Sequence, residues 1–307
     1  MNQKIMTVTG EIQSNKMGFT LPHEHILVDF IGAEETGKHR YNPKEVIKVM
    51  FPYLMDIQKL GVTTFIDCTP MYLARDVSIL KELANRTKLN ILTNTGLYGR
   101  EPYIPKQAYT QSIEKLAGQW IQEANEGIEG TGIKPGFIKT AVDGGKFTDI
   151  EKKLIEVAAV VSKKTNLTIA THTCFGEKAI QILEVLEAYD VNPQKWIFVH
   201  ANIEEKIELI SQVAERGAWI ELDGVGQEGQ NDKIINILDI LLDQEYQDQI
   251  LLSQDAGCFF VGEPNGGEIR PFSPFITEFL PMLHDHGIQD NLIQKITVEN
   301  PAIAFSI

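Results

Sequence analysis

At 307 residues, 43% of them hydrophobic and 23% charged, the chain is long enough to bury a large core. Its formal net charge of -14 argues against a nucleic-acid backbone as partner, because phosphate binding needs a basic face. Three widely spaced cysteines, Cys68, Cys174 and Cys258, make neither a disulfide framework nor a CxxC metal motif, and they fit a reducing compartment.

The segment Met1–Thr7 lacks the apolar core of a signal peptide, and no run approaches the ~20 apolar residues that a membrane helix needs. A cytoplasmic protein that does not engage a membrane is the expectation. Thr7 to Lys16 reads as a small hairpin. After it, short apolar runs alternate with longer stretches of helical periodicity. Expected strands are Phe19–His25, Thr63–Cys68, Asn90–Thr95, Gly136–Ala141, Thr168–Thr173, Trp196–His200, Ala218–Asp223 and Ile250–Asp255. Expected helices are Lys44–Leu60, Val77–Thr87, Thr110–Gly127, Asp149–Thr165, Glu177–Tyr189, Ile203–Arg216, Lys233–Asp243 and Pro274–His284. Gly61 and Gly217 stand where helices end, and Asp149 and Asn202 where helices begin. Eight strand–helix pairs without a linker predict an α/β fold, a (β/α)8 TIM barrel forming a single domain over residues 1–307 with a short N-terminal hairpin. An open doubly wound sheet is the alternative.

Barrel chemistry gathers at the C-terminal ends of the strands. There the sequence places His23 and His25, Lys139, His172, His200 and Asp255. An isolated HxH is ordinarily a pair of polar residues leaving a strand, and a lone histidine after an apolar run is ordinarily a satisfied core residue. Four histidines and an aspartate at separate strand ends form a ligand set for Zn²⁺ or a similar divalent ion. Lys139 alone would read as a snorkelling lysine.

The ordered set of Gly18-Phe19-Thr20-Leu21-x-His23-Glu24-His25, Gly136-Phe137-Ile138-Lys139, His172, His200, Asp255 and Glu299-Asn300-Pro301 resembles the phosphotriesterase family of the amidohydrolase superfamily. The resemblance implies two divalent metal ions, Zn²⁺ with Mn²⁺ or Co²⁺ as alternatives. His23, His25 and Asp255 would hold the buried ion and His172 and His200 the exposed one, with carboxylated Lys139 and a hydroxide bridging both. It implies that the hydroxide attacks the substrate while Asp255 accepts a proton. It also implies a small-molecule ester, lactone or phosphoester as partner, and a homodimer. Paraoxon-hydrolysing members carry a histidine after strand seven and lactonase members an arginine; Gly224 stands there in this sequence. Tyr98 matches a tyrosine that lines the metal centre of the lactonases, though it would equally serve as a packed aromatic. A lactone or other ester is therefore preferred, with phosphotriester or phosphoester hydrolysis as the alternative.

Two further classes are weighed. Gly224-x-Gly226-x-x-Gly229 formally matches a dinucleotide fingerprint and would indicate an NAD-dependent oxidoreductase, but Gln230-Asn231-Asp232 is expected to separate it from its helix. A mobile loop is the better reading. A metal-stabilised binding protein is the other class. Arg100, Lys146 and Arg270 are loop cations able to meet a substrate anion, with solvated surface charge as the plain reading. Cys174 and Cys258 lie near His172 and Asp255 without a base of their own. His39, His284 and His286 read as surface residues.

Overall fold

In a computed structural model describing residues 3–307, the chain opens on an antiparallel hairpin of β1 (Lys4–Thr7) and β2 (Gly10–Gln13). The first strand starts before the expected Thr7 because Ile5 and Thr7 alternate inward. Ile5 packs with Met17, Phe137 and Phe305 at the barrel floor.

Eight parallel staves follow: β3 (Thr20–Val28), β4 (Thr64–Asp67), β5 (Asn90–Leu92) continued by β6 (Asn94–Thr95), β7 (Phe137–Ala141), β8 (Ile169–His172), β9 (Trp196–Val199), β10 (Trp219–Leu222), and β11 (Ile250–Leu252) continued by β12 (Gly257–Phe260). One ladder runs from β6 to β11 in chain order, and a second runs β12-β3-β4-β5. The two halves of the third and eighth staves join the ladders. Bonds from the Asp255 amide to the His23 carbonyl (3.1 Å) and from the His25 amide to the Ala256 carbonyl (3.0 Å) close the ring. The fold is a (β/α)8 barrel.

The outer layer comprises α1 (Pro43–Lys59), α2 (Val77–Thr87), α3 (Lys106–Thr110), α4 (Ile113–Glu126), α5 (Asp149–Thr165), α6 (Gly176–Ala188), α7 (Ile207–Glu215), α8 (Gln230–Asp243), α9 (Leu280–His286), α10 (Asp290–Gln294) and α11 (Asn300–Ala304). Each long helix buries one stripe; in α1 it is Val46, Ile47, Met50, Leu54 and Ile57. Starts are set by side chains that satisfy the free amides of the first turn, as in the Thr148–Glu151 capping box of α5. Gly61 and Gly217 take the left-handed backbone expected beyond a helix end.

Several boundaries differ from expectation. Strand one continues to Val28 because β12 pairs with it, so His23 and His25 lie inside the strand rather than at its end. Asn202 does not start a helix. Its amide is committed to Asp223 and Gln230, the chain makes a 3-10 turn there, and α7 begins at Ile207. The expected Thr110–Gly127 helix is preceded by a separate turn, α3, and Ser112 caps the main helix at Ile113. A π-helical turn at Phe275–Phe279 runs into α9, so that helix reaches His286. Among the described residues no helix is long and apolar enough to cross a membrane.

The barrel floor is closed by the hairpin and α11, with Phe305 set edge-on to Phe137 at 5.4 Å between ring centroids. The opposite, C-terminal end of the strands is open.

Candidate metal centre

His23, His25, Tyr98, Lys139, His172, His200 and Asp255 all line one cavity of about 320 Å³ at that open end. Strand alternation sends His23 and His25 to the same inner face of β3. Their rings lie 5.5 Å apart, His23 lies 5.0 Å from His200, and His200 lies 4.5 Å from His172. The His25 Nε2 is 3.1 Å from Asp255 Oδ1, and His23 Nε2 is 3.7 Å from the same oxygen. Lys139 Nζ, on buried β7, is 3.4 Å from His23 Nε2. Among the described residues, no carboxylate oxygen comes within ion-pair distance of that amine.

Each histidine that turns Nε2 inward has its Nδ1 held from behind. His23 Nδ1 meets Glu221 Oε2 at 2.8 Å and Asp223 Oδ2 at 3.3 Å. His200 Nδ1 meets Asp223 Oδ1 at 2.8 Å, and the His200 amide donates to Asp223 Oδ2. His25 Nδ1 meets the Thr69 hydroxyl at 2.8 Å. Such partners fix the tautomer and aim of a metal-binding imidazole.

The electrostatics suit cation binding. Burial lowers the pKa of His25, and burial with the neighbouring His200 and Lys139 takes His172 well below the usual range, so both rings favour the neutral form. Burial opposes ionisation of Asp255, but its bond to His25 and the charges of His23, His25 and His200 hold its carboxyl well below the usual range. Burial also works against an imidazolium at His23, yet Cys68, Glu221 and Asp223 hold that pKa well above normal. His23, His25 and Asp255 offer ligand atoms within 4.8 Å of one another, as do His23, His200 and Asp223. In the second group, Asp223 is engaged with the Nδ1 atoms on the far side of the rings from the cavity.

A sequence model of the phosphotriesterase family matches residues 3–305. The chain belongs to the phosphotriesterase family. It is 29% identical to an aryldialkylphosphatase of Saccharolobus solfataricus over 96% of this chain and 97% of that protein. It is 27% identical to a phosphotriesterase homology protein of Escherichia coli strain K12, over 94% and 98%. It is 26% identical to an N-acetyltaurine hydrolase of Bos taurus, over 98% and 97%. The family is metal-dependent and its members are hydrolases acting on small molecules.

A Cβ added to Gly224 would lie 2.4 Å from Asn202 Nδ2, so the space a larger side chain would take at this position is filled by the Asn202 amide. The glycine loop opens α8 at Gln230 without the expected polar separation. Three of its amides are nevertheless committed internally, with Gly226 donating to Asn231 Oδ1, Val225 to the Ser253 carbonyl and Gln227 to the Gly224 carbonyl, so they do not face a pyrophosphate. Arg270 is likewise committed to the carbonyls of Gln254, Asp255 and Val225 and is not a free loop cation. Arg100 lines the cavity beside Asp143, while Lys146 is exposed. His39, His284 and His286 are exposed, as expected. Cys68 and Cys258 line the cavity; Cys174 Sγ lies 3.7 Å from His172 Nε2, and burial raises its pKa to about 12.

Sequence reasoning did not single out Glu221, Asp223 and Thr69 as supporting residues. The signal was present in Glu221-x-Asp223, whose spacing puts both carboxylates on one side of the chain at the C-terminal end of β10. Two site residues have left-handed backbones, His200 at φ 60° and Asp255 at φ 51°.

Proposed function

We propose that the chain is a binuclear metal-dependent hydrolase of lactones or related carboxylic esters, working as one barrel domain over residues 1–307. The observation carrying this reading is the convergence of four imidazoles, one low-pKa carboxylate and one buried lysine with no carboxylate partner among the described residues on a single cavity. The donor set fits two ions: His23, His25 and Asp255 for the inner, and His172 and His200 for the outer. A carboxylated Lys139 would serve both, since a buried amine without a carboxylate partner becomes a ligand once converted to a carbamate. Bound divalent ions would activate water and polarise the scissile carbonyl.

The chain's own groups divide the remaining work. Asp255, kept ionised by its histidine neighbours, takes the proton of the attacking water and returns it to the leaving oxygen. Tyr98 is half-buried with its ring 5.3 Å from that of His172, and desolvation together with the Asp255 charge pushes its phenol above the ordinary range. It therefore stays protonated and can donate to a substrate oxygen. Val28, Phe30, Leu73 and Phe260 form an apolar wall suited to the alkyl part of an ester.

Because Asn202 occupies the space beside Gly224, a proton relay from that position is unsupported, and phosphotriester hydrolysis is the second reading. N-acetyltaurine, named in the relatives' activity, belongs in the same comparison. The test measures metal content and parallel rates on lactones, aryl esters, aryl phosphotriesters and N-acetyltaurine with the Zn²⁺- or Mn²⁺-loaded protein. Lactone or ester turnover abolished by chelation and by His23→Ala is expected. A preference for the phosphotriester or the amide would overturn the substrate order, and unchanged metal content in His23→Ala would overturn the metal assignment.

A further inference from the structure

Between His23 and His25 stands Glu24, fully buried and pointing away from the cavity. On β3 the alternation of side chains sends it outward, into the layer between strands and helices. A carboxylate there is destabilising unless its oxygens are well satisfied, and an apolar residue would ordinarily be preferred. Its partners all come from one segment of the eighth stave. Oε1 accepts from Ser253 Oγ (2.9 Å) and from the Gln254 amide and side chain (3.3 Å each), and Oε2 accepts from the Ala256 amide (2.8 Å). The donors flank Asp255 on both sides.

The ladder explains why that segment needs help. The Asp255 amide donates to the His23 carbonyl, so a regular parallel pairing would return the His25 amide to the Asp255 carbonyl. It returns to Ala256 instead, and Gly257 then pairs with His25. One residue is extra. The strand is bulged at Asp255, where φ is 51°, and the residue opposite the bulge is Glu24. A bulge re-aims a side chain and leaves a backbone group unpaired. Here the re-aimed side chain is Asp255, and the unpaired Ala256 amide ends on Glu24. Ser253 extends the clamp to the other strand, since its Oγ also accepts from the His23 amide at 2.9 Å.

We propose that Glu24 is a positioning residue that locks the bulge and thereby fixes the direction in which Asp255 enters the cavity. This rests on the proposed role of Asp255 as ligand and proton acceptor. Of the two, only Asp255 lines the cavity; Glu24 acts through it.

The test compares wild type, Glu24→Gln, Ser253→Ala and His23→Ala. Each apo-protein is checked by circular dichroism and melting, then titrated with Co²⁺ against a chelator while the visible d–d spectrum is recorded. Glu24→Gln keeps its size but turns an NH₂ group toward a donor. A folded Glu24→Gln with Co²⁺ affinity lowered on the order of 10-fold or more, as for outer partners of metal ligands, and an altered d–d spectrum is expected. Its kcat should fall with KM little changed. Ser253→Ala should shift the same quantities in the same direction by less, and it carries the test if Glu24→Gln does not fold. A lower melting temperature with wild-type Co²⁺ affinity and spectrum in the folded variants would overturn the positioning role and leave a merely structural one. Unchanged Co²⁺ uptake in His23→Ala would instead overturn the metal assignment on which it depends.

Discussion

Asp223 does not itself line the cavity, yet it holds His200 by both ring and backbone and reaches the His23 ring as well. Asp223→Ala should weaken metal binding by about 10–100-fold while the protein still folds, measured by competition with a chromogenic chelator. Lys139→Ala should lose much of its metal and its activity, and added short carboxylic acids should restore part of both. Gly224→Ala is constrained by the buried Asn202, whose amide is already bonded on both sides. It should lower stability by about 1–3 kcal/mol in urea unfolding. Gly224→His should gain no phosphotriester turnover, because the ring has no room beside Asn202. At this scale the sequence exposed groups whose chemistry is carried by residue type and strand position, such as His23, His172 and Asp255. Glu221, Asp223 and Thr69 were harder to see, because ordinary polar residues become supports only through partners on other strands.

The barrel strands were legible as elements because each is a short apolar run set between helical stretches. What periodicity could not give was where pairing stops. β3 outruns its apolar core because β12 lies beside it, and β12 exists because the eighth stave is bulged and resumes after Ala256. The close approach of these two strands depends on Gly257, at φ 89°, where a Cβ would lie 2.2 Å from the His25 carbonyl oxygen and 2.6 Å from the Phe272 ring. Gly257→Ala should cost roughly 2–5 kcal/mol, adding about 1–2 for a left-handed backbone to 1–3 for overpacking. Chemical denaturation of the metal-free protein separates that loss from any effect on the ions. The short turns α3, α10 and α11 escaped sequence reading for a related reason. At five residues each, they are too short to carry a helical period.

For the molecule as a whole, binding at the cavity and titration outside it both act on folding. An ion that binds only the folded chain stabilises it by about 4 kcal/mol at a thousandfold excess over its dissociation constant. Chelation should therefore lower the melting temperature of the wild type and leave that of His23→Ala nearly unmoved. Far from the cavity, burial lowers the pKa of Lys195 from 10.5 to about 8, while its Nζ donates to the Ser306 carbonyl near the chain's end. Between those two values the unfolded chain holds a proton that the folded chain has released, so stability from this group rises with pH and is lost as pH falls toward 8. Unfolding midpoints at pH 7.5 and 10 should show that rise in wild type, and Lys195→Met should lack it. The left-handed backbones of His200 and Asp255 bear on how such a protein can be improved. Glycine would relax either position, so a library selected for heat resistance alone would be drawn toward removing the two side chains the chemistry needs. Selection for a hardier variant of this chain has to score metal retention alongside melting temperature, or it will enrich well-folded, inert barrels.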